Sequence, residues 1–306
     1  MSLGMMFRFF LLTIGGLLLV LGVLALTVAG SGSLASAPAL DVVTPPTDLS
    51  AHEAAVSLNG ETADGGSGDG TLRRIAVPIL MYHYVSVPPE DADVYRRDLS
   101  VTPTNFRAQM AFLAERGYTV IGLDDLNLAL RWGAPLPPRP VVLTFDDGYA
   151  DAYHVVFPIL REFGYTGTFF VITRRLDEGH PAYLTWAQAR EMAQAGMSIE
   201  SHTSDHLDLR GRDSAFLIDQ IQGSIERIEA HTGRRPRFFC YPSGRWDRGA
   251  VEALASLGIW AAVTTEGGIE HTTDAMLLLR RVRISGDTDL GTFAVLLAWE
   301  WDRSTL

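Results

Sequence analysis

From Ile75 toward the C-terminus, short apolar runs alternate with segments in which apolar residues recur every three or four positions. The first kind of pattern reads as buried strand and the second as amphipathic helix. The runs predict strands at 75–82, 118–121, 141–145, 168–172, 197–201, 238–241, 259–264 and 281–284. Helical spacing predicts helices at 104–116, 150–163, 185–195, 214–231 and 247–257. Gly117, Gly164, Gly196, Gly233 and Gly258 follow these helices within two residues, where a left-handed cap would stop each one. About seven strand–helix units in about 230 residues predict an α/β fold, a closed or nearly closed β/α barrel rather than an open nucleotide-binding sheet. No glycine fingerprint for a dinucleotide or phosphate loop appears.

Ahead of this unit the pattern changes. Residues 9–29 carry no charge and could cross a bilayer core, which needs about 20 residues of helix. Residues 1–30 are therefore expected to be a membrane anchor, or else a signal peptide cleaved after Ala35-Ser36-Ala37, and either way the remainder is exported. Residues 31–74 are rich in glycine and serine, lack aromatics, and are expected to form a disordered linker to a folded domain at 75–306.

Composition narrows the chemistry. With 306 residues, 47% of them hydrophobic, the chain can bury a large core. Its net charge of -11, without a basic stripe, argues against a nucleic-acid partner. All 25 cationic residues are arginine, which excludes lysine Schiff-base and lysine general-base mechanisms. Cys240, the single cysteine, excludes a disulfide framework and a multi-cysteine zinc site.

The strand run Val141–Phe145 ends in Asp146-Asp147-Gly148. Two adjacent carboxylates at a strand end are costly to desolvate together unless a cation intervenes. Taken alone, Asp147 could simply cap the next helix while Asp146 faces solvent. A second run, Met197–Ser201, closes on His202-Thr203-Ser204-Asp205-His206, and histidines four apart on a helical turn could share one cation. Both clusters follow strands, and in a β/α barrel that places them on one rim. Two histidines and one carboxylate leave positions open for water and substrate. His83 and the segment Cys240-Tyr241-Pro242-Ser243-Gly244 also follow strands, although His83 could equally be a satisfied core histidine.

The Thr144–Gly148 and His202–His206 segments together resemble the first two motifs of the NodB-type polysaccharide deacetylases, carbohydrate esterase family four. The resemblance implies a distorted barrel, Asp146 as general base, and one divalent metal held by Asp147, His202 and His206. That metal is usually zinc, with cobalt, nickel, manganese or iron as alternatives. The arginine that normally orients the base is missing, because Cys240-Tyr241-Pro242-Ser243-Gly244 stands in its motif. The Tyr-Pro-x-Gly form, Val77–His83 and Arg281-Val282-Arg283 resemble the poly-N-acetylglucosamine deacetylase branch. By that likeness His83 becomes the general acid, the Tyr241 amide holds the oxyanion, and Arg281 or Arg283 orients Asp146.

The implied reaction is metal-assisted removal of N-acetyl groups from an N-acetylglucosamine-containing polysaccharide. Exopolysaccharide, peptidoglycan and a chitin-like polymer are all compatible. Trp132, Trp186 and Trp246 are candidates for stacking on sugars, and Tyr149 is a further aromatic beside the carboxylates. Two other functions remain open. One is an O-acetyl xylan or small-amide deacetylase of the same fold; the other is a non-catalytic glycan-binding protein that retains the metal site.

Overall fold

A computed structural model describes residues 68–298. The expected anchor or signal segment and nearly all of the linker lie outside those residues. Among the described residues, no helix is long and apolar enough to cross a membrane.

The chain begins with β1 (Arg74–Ala76), β2 (Ile79–Tyr82), α1 (Val94–Asp98), α2 (Pro103–Glu115), β3 (Thr119–Ile121), α3 (Leu123–Trp132) and β4 (Pro140–Phe145). A π-helical turn (Ala152–Val156) then runs into α4 (Phe157–Phe163), followed by β5 (Thr168–Val171), α5 (Thr173–Asp177), α6 (Trp186–Gln194) and β6 (Ser198–Ser201). Next come α7 (Ser214–Thr232), β7 (Phe238–Cys240), a 3-10 turn (Pro242–Gly244), α8 (Arg248–Ser256), β8 (Ala261–Gly267) and β9 (Glu270–Thr272). A second 3-10 segment (Thr273–Leu278) leads to β10 (Leu279–Arg283) and α9 (Leu290–Ala298).

Among the described residues, seven parallel strands close into a barrel in the order β2-β10-β8-β7-β6-β5-β4. Closure comes from β2, which pairs with β4 from Ile79↔Val142 to Tyr82↔Phe145 and with β10 at Leu80↔Val282. The expected β/α barrel is thus the observed fold. β3 pairs only with the first half of β4, from Pro140 to Val142, and Val142 is also where the pairing with β2 begins.

Alternation along the strands divides the core. Leu80, Leu143, Phe145, Phe169 and Val171 pack outward under the helices, whereas Ile79, Val142, Phe170, Phe238, Cys240 and Val263 form a separate inner cluster. Continuing that inner set upward from Val142 by twos reaches Thr144 and then Asp146. Because every stave is parallel, their carboxyl ends share one rim.

The five expected helix stops hold. Gly117, Gly164, Gly196, Gly233 and Gly258 have φ of 68°, 67°, 92°, 75° and 76°, where a Cβ is disfavoured. Elsewhere the structure departs from the pattern. The strand expected at 75–82 is broken at Pro78, and its first part pairs antiparallel with β9 instead of joining the barrel. The helix expected from residue 150 opens as a π turn, and α1, α3, α5, α9 and β9 have no counterpart in the predicted set. The folded unit also begins earlier than Ile75: the Asp69 amide donates to the Arg131 carbonyl at 3.1 Å, and Arg73 pairs with Asp69.

Candidate metal and catalytic site

The β4 strand delivers Asp146 and Asp147 to the rim, and a tight turn separates their roles. Asp147 and Gly148 both have positive φ, 74° and 76°. A Cβ on Gly148 would lie 2.9 Å from Val171 Cγ1, so only glycine fits this turn beside β5. Gly148→Ala is expected to cost about 1–3 kcal/mol in chemical denaturation, from backbone strain and overpacking together. Thr203 (φ 68°) and His206 (φ 59°) are also left-handed, and such strain concentrates where function requires it.

The His202–His206 segment is not the helical turn its spacing suggests. It is a loop in which the His206 amide donates to Thr203 Oγ1 at 2.8 Å and the Ser204 amide to the Gln220 carbonyl at 3.0 Å. Arg174 of α5 grips Asp205 from the other side. His202 Nδ1 lies 2.7 Å from the Cys240 carbonyl oxygen, so that nitrogen is the donor and Nε2 is turned to the site.

His202 Nε2 and His206 Nε2 lie 3.3 Å and 3.5 Å from Asp147 Oδ1. Oδ1 is nonetheless buried without a hydrogen bond. A buried orphan oxygen between two imidazoles is what a shared cation explains. Ligands held about 2.0–2.1 Å from a tetrahedral ion sit about 3.3–3.4 Å apart, the edge of that tetrahedron. The donor set and its spacing therefore fit a small divalent ion. Burial alone would raise the Asp147 carboxyl, but the imidazoles, His202 foremost, hold it well below the carboxylate range. Burial, with the neighbouring His202, pushes His206 down to about 4, leaving it in the neutral form that a metal ligand needs.

Beside this group, Asp146 is 3% exposed and clamped by Arg281, whose Nη1 and Nη2 donate to its two oxygens at 2.7 Å each. Arg281 is itself fixed by Thr144 Oγ1 at 3.1 Å and by the Thr264 carbonyl at 2.8 Å. The bidentate fork overcomes burial, which would raise Asp146, and keeps its carboxyl below the ordinary value. Of the two arginines considered from sequence, Arg281 thus faces Asp146. Arg283, one alternation further along β10, pairs with Asp98 at the surface.

His83 Nε2 stands 3.8 Å from Asp146 Oδ2, facing the same space. An ordinary histidine pKa does not hold there: burial lowers it, outweighing the pull of Asp146 and Asp147. The Tyr241 amide is already engaged, donating to the Val263 carbonyl at 3.2 Å, so the structure does not present it to the site as an oxyanion donor. Trp186 stacks on His231 at 4.2 Å and donates to Asp177, and Trp246 packs beside α8; neither joins the carboxylate–imidazole group. Trp132, at the end of α3, is 51% exposed.

A polysaccharide deacetylase family model matches residues 133–262, the span that holds both motifs. The Bacillus subtilis (strain 168) protein YxkH, named as an inferred polysaccharide deacetylase, is 32% identical over 231 residues, covering 76% of this chain and 79% of its own length. The chain belongs to the polysaccharide deacetylase family. As such it is a hydrolase of the class that cleaves amide carbon–nitrogen bonds in acetylated polysaccharides. This deacetylase is also similar to the Streptococcus pyogenes deacetylase PplD, solved in complex with acetate, with a TM-score of 0.67 and 28% identity over 74% of this chain and 99% of that one. The poly-beta-1,6-N-acetyl-D-glucosamine N-deacetylase of Escherichia coli (strain K12) is 28% identical over 67% of this chain, a match that spans only 36% of that longer protein.

Sequence reasoning assigned the deacetylase no role for the Cys240 side chain. Its thiol, fully buried, lies 3.5 Å from Asp146 Oδ2 and 3.3 Å from Arg281 Nη2. The inward alternation of β7, with Phe238 and Cys240 in one cluster, was the signal that could have found it.

Proposed function

We propose that the deacetylase is exported and removes N-acetyl groups from an N-acetylglucosamine-containing polysaccharide, with zinc as its ion. The observation that carries this reading is the pairing of two neighbouring devices. One is an orphan Asp147 oxygen set at ligand spacing from two imidazoles; the other is an ionised Asp146 locked by Arg281. The name of the Escherichia coli relative supports the choice of polymer.

A divalent ion at Asp147, His202 and His206 would supply an acidified water, its pKa lowered toward about 7, and a polarised acetamide carbonyl. Asp146 accepts the proton as water adds to that carbonyl. Its two oxygens cannot rotate away, because Arg281 holds both. His83 faces Asp146 and, being lowered by burial, takes up the proton that Asp146 accepted and passes it to the departing amine as the carbon–nitrogen bond breaks. The products are acetate and a free amino sugar.

Acetate release by the full chain from poly-N-acetylglucosamine, chito-oligosaccharides and peptidoglycan tests the assignment. Release is expected to drop to background with a chelator and to return with zinc. Activity indifferent to chelator would refute the metal assignment, and no release from any of the three polymers would refute the substrate class.

A further inference from the structure

Beside the carboxylates stands a cluster that the reaction above does not use. Tyr84 directly follows His83, and Tyr149 lies two residues after Asp147. Tyr183 is strapped to the same turn, since the Ala150 amide donates to the Ala182 carbonyl and the Leu184 amide to the Gly148 carbonyl, both at 2.9 Å. The rings form a ladder: Tyr84 and Tyr149 stack at 3.5 Å, and Tyr149 and Tyr183 lie at 5.1 Å with a 35° tilt. Arg96 caps one end, 3.3 Å over Tyr84, and Arg175 lies 5.8 Å from the Tyr183 ring centre. All three rings are half-buried.

We propose that Tyr84, Tyr149 and Tyr183 form the glycan-binding wall of the site, with ring edges and phenolic hydroxyls that hydrogen-bond the sugars flanking the acetylated one. This rests on the deacetylase reading above and adds the residues that select a chain over a single sugar. Most ring faces are already taken within the ladder or by the guanidiniums, so the wall offers edges and hydroxyls rather than a stacking platform. Hydroxyls that both donate and accept suit the hydroxyls of neutral pyranoses. Backbone bonds from the Tyr84 amide to the Leu99 carbonyl and from the Val101 amide to the Tyr84 carbonyl, each 3.0 Å, hold the wall rigid before any sugar arrives.

Calorimetric titration of the full chain carrying Asp146→Asn, which prevents turnover, with β-1,6-linked tetra-N-acetylglucosamine tests the wall. Tyr149→Phe and Tyr183→Phe keep the rings and remove one hydroxyl each, and thermal denaturation of each variant reads the loss of contacts between ladder members, so a purely structural ladder would lower stability without weakening binding. Each should weaken tetramer binding about 5-fold, the worth of one hydrogen bond. Tyr95→Phe, at an exposed tyrosine outside the ladder, should leave it unchanged. Unaltered affinity in both ladder variants, or no tetramer binding at all, overturns the wall. If the variants weaken binding but the chain with Asp146 intact releases no acetate from the tetramer, the wall stands and the functional reading fails.

Discussion

Asp146→Asn should lower kcat for acetate release by about 10²–10⁴-fold, the range a positioned general base supplies, while the bound metal measured by elemental analysis stays at the wild-type level. The two readouts separate if the proposed donors, Asp147, His202 and His206, hold the ion, because Asp146, which also groups with His202 and Cys240, has both oxygens in the Arg281 fork. Near-normal turnover in this variant would remove Asp146 from the base role. Linkage gives a second check. A carboxyl whose folded pKa lies below its unfolded value, about 3.9, stabilises the fold above that pH and loses the contribution as pH falls through the folded value. The acid side of the wild-type unfolding curve should therefore be steeper than that of Asp146→Asn.

The largest loss of stability is expected from Arg281→Met. The guanidinium is 0% exposed and its partner 3%, and a buried pair broken on one side leaves a charge with neither water nor counter-ion. The expected cost is about 3–5 kcal/mol in urea denaturation. Met approximates the volume but abandons the bonds to Asp146, Thr144 and Thr264 together. Adding Asp146→Asn to Arg281→Met should restore part of the loss, because the stranded charge is then absent. A double variant no more stable than Arg281→Met alone would show that packing, not charge, carries the penalty.

How much of this was legible depends on whether a feature is local. The two motifs could be read because each is an apolar strand that stops abruptly on polar residues, and the helix ends because a glycine sits where φ turns positive. The Asp146–Arg281 clamp joins residues 135 apart, and no local pattern marks Arg281 over Arg283; the resemblance narrowed the choice to two, and the β10 geometry decided between them. The shape of the His202–His206 loop was misread because four-residue spacing suggests a helix, whereas the Thr203 hydroxyl and the Gln220 carbonyl pin a turn that only α7 can supply. The π turn at Ala152–Val156 and the three-residue strands β1 and β9 are too short to leave a periodicity. The engaged Tyr241 amide and the lowered His83 are matters of burial, which no motif encodes.

The way the barrel shuts ties its last strand to its first. Asp147, His202 and His206 come from the middle of the chain, whereas β2 sits between β4 and β10, so the last stave must find the first across about two hundred intervening residues. Those three residues follow β4 and β6, staves separated in the barrel only by β5. Asp146 gains its arginine only from β10, so the carboxylate proposed to accept the proton is completed by the last barrel strand of the chain.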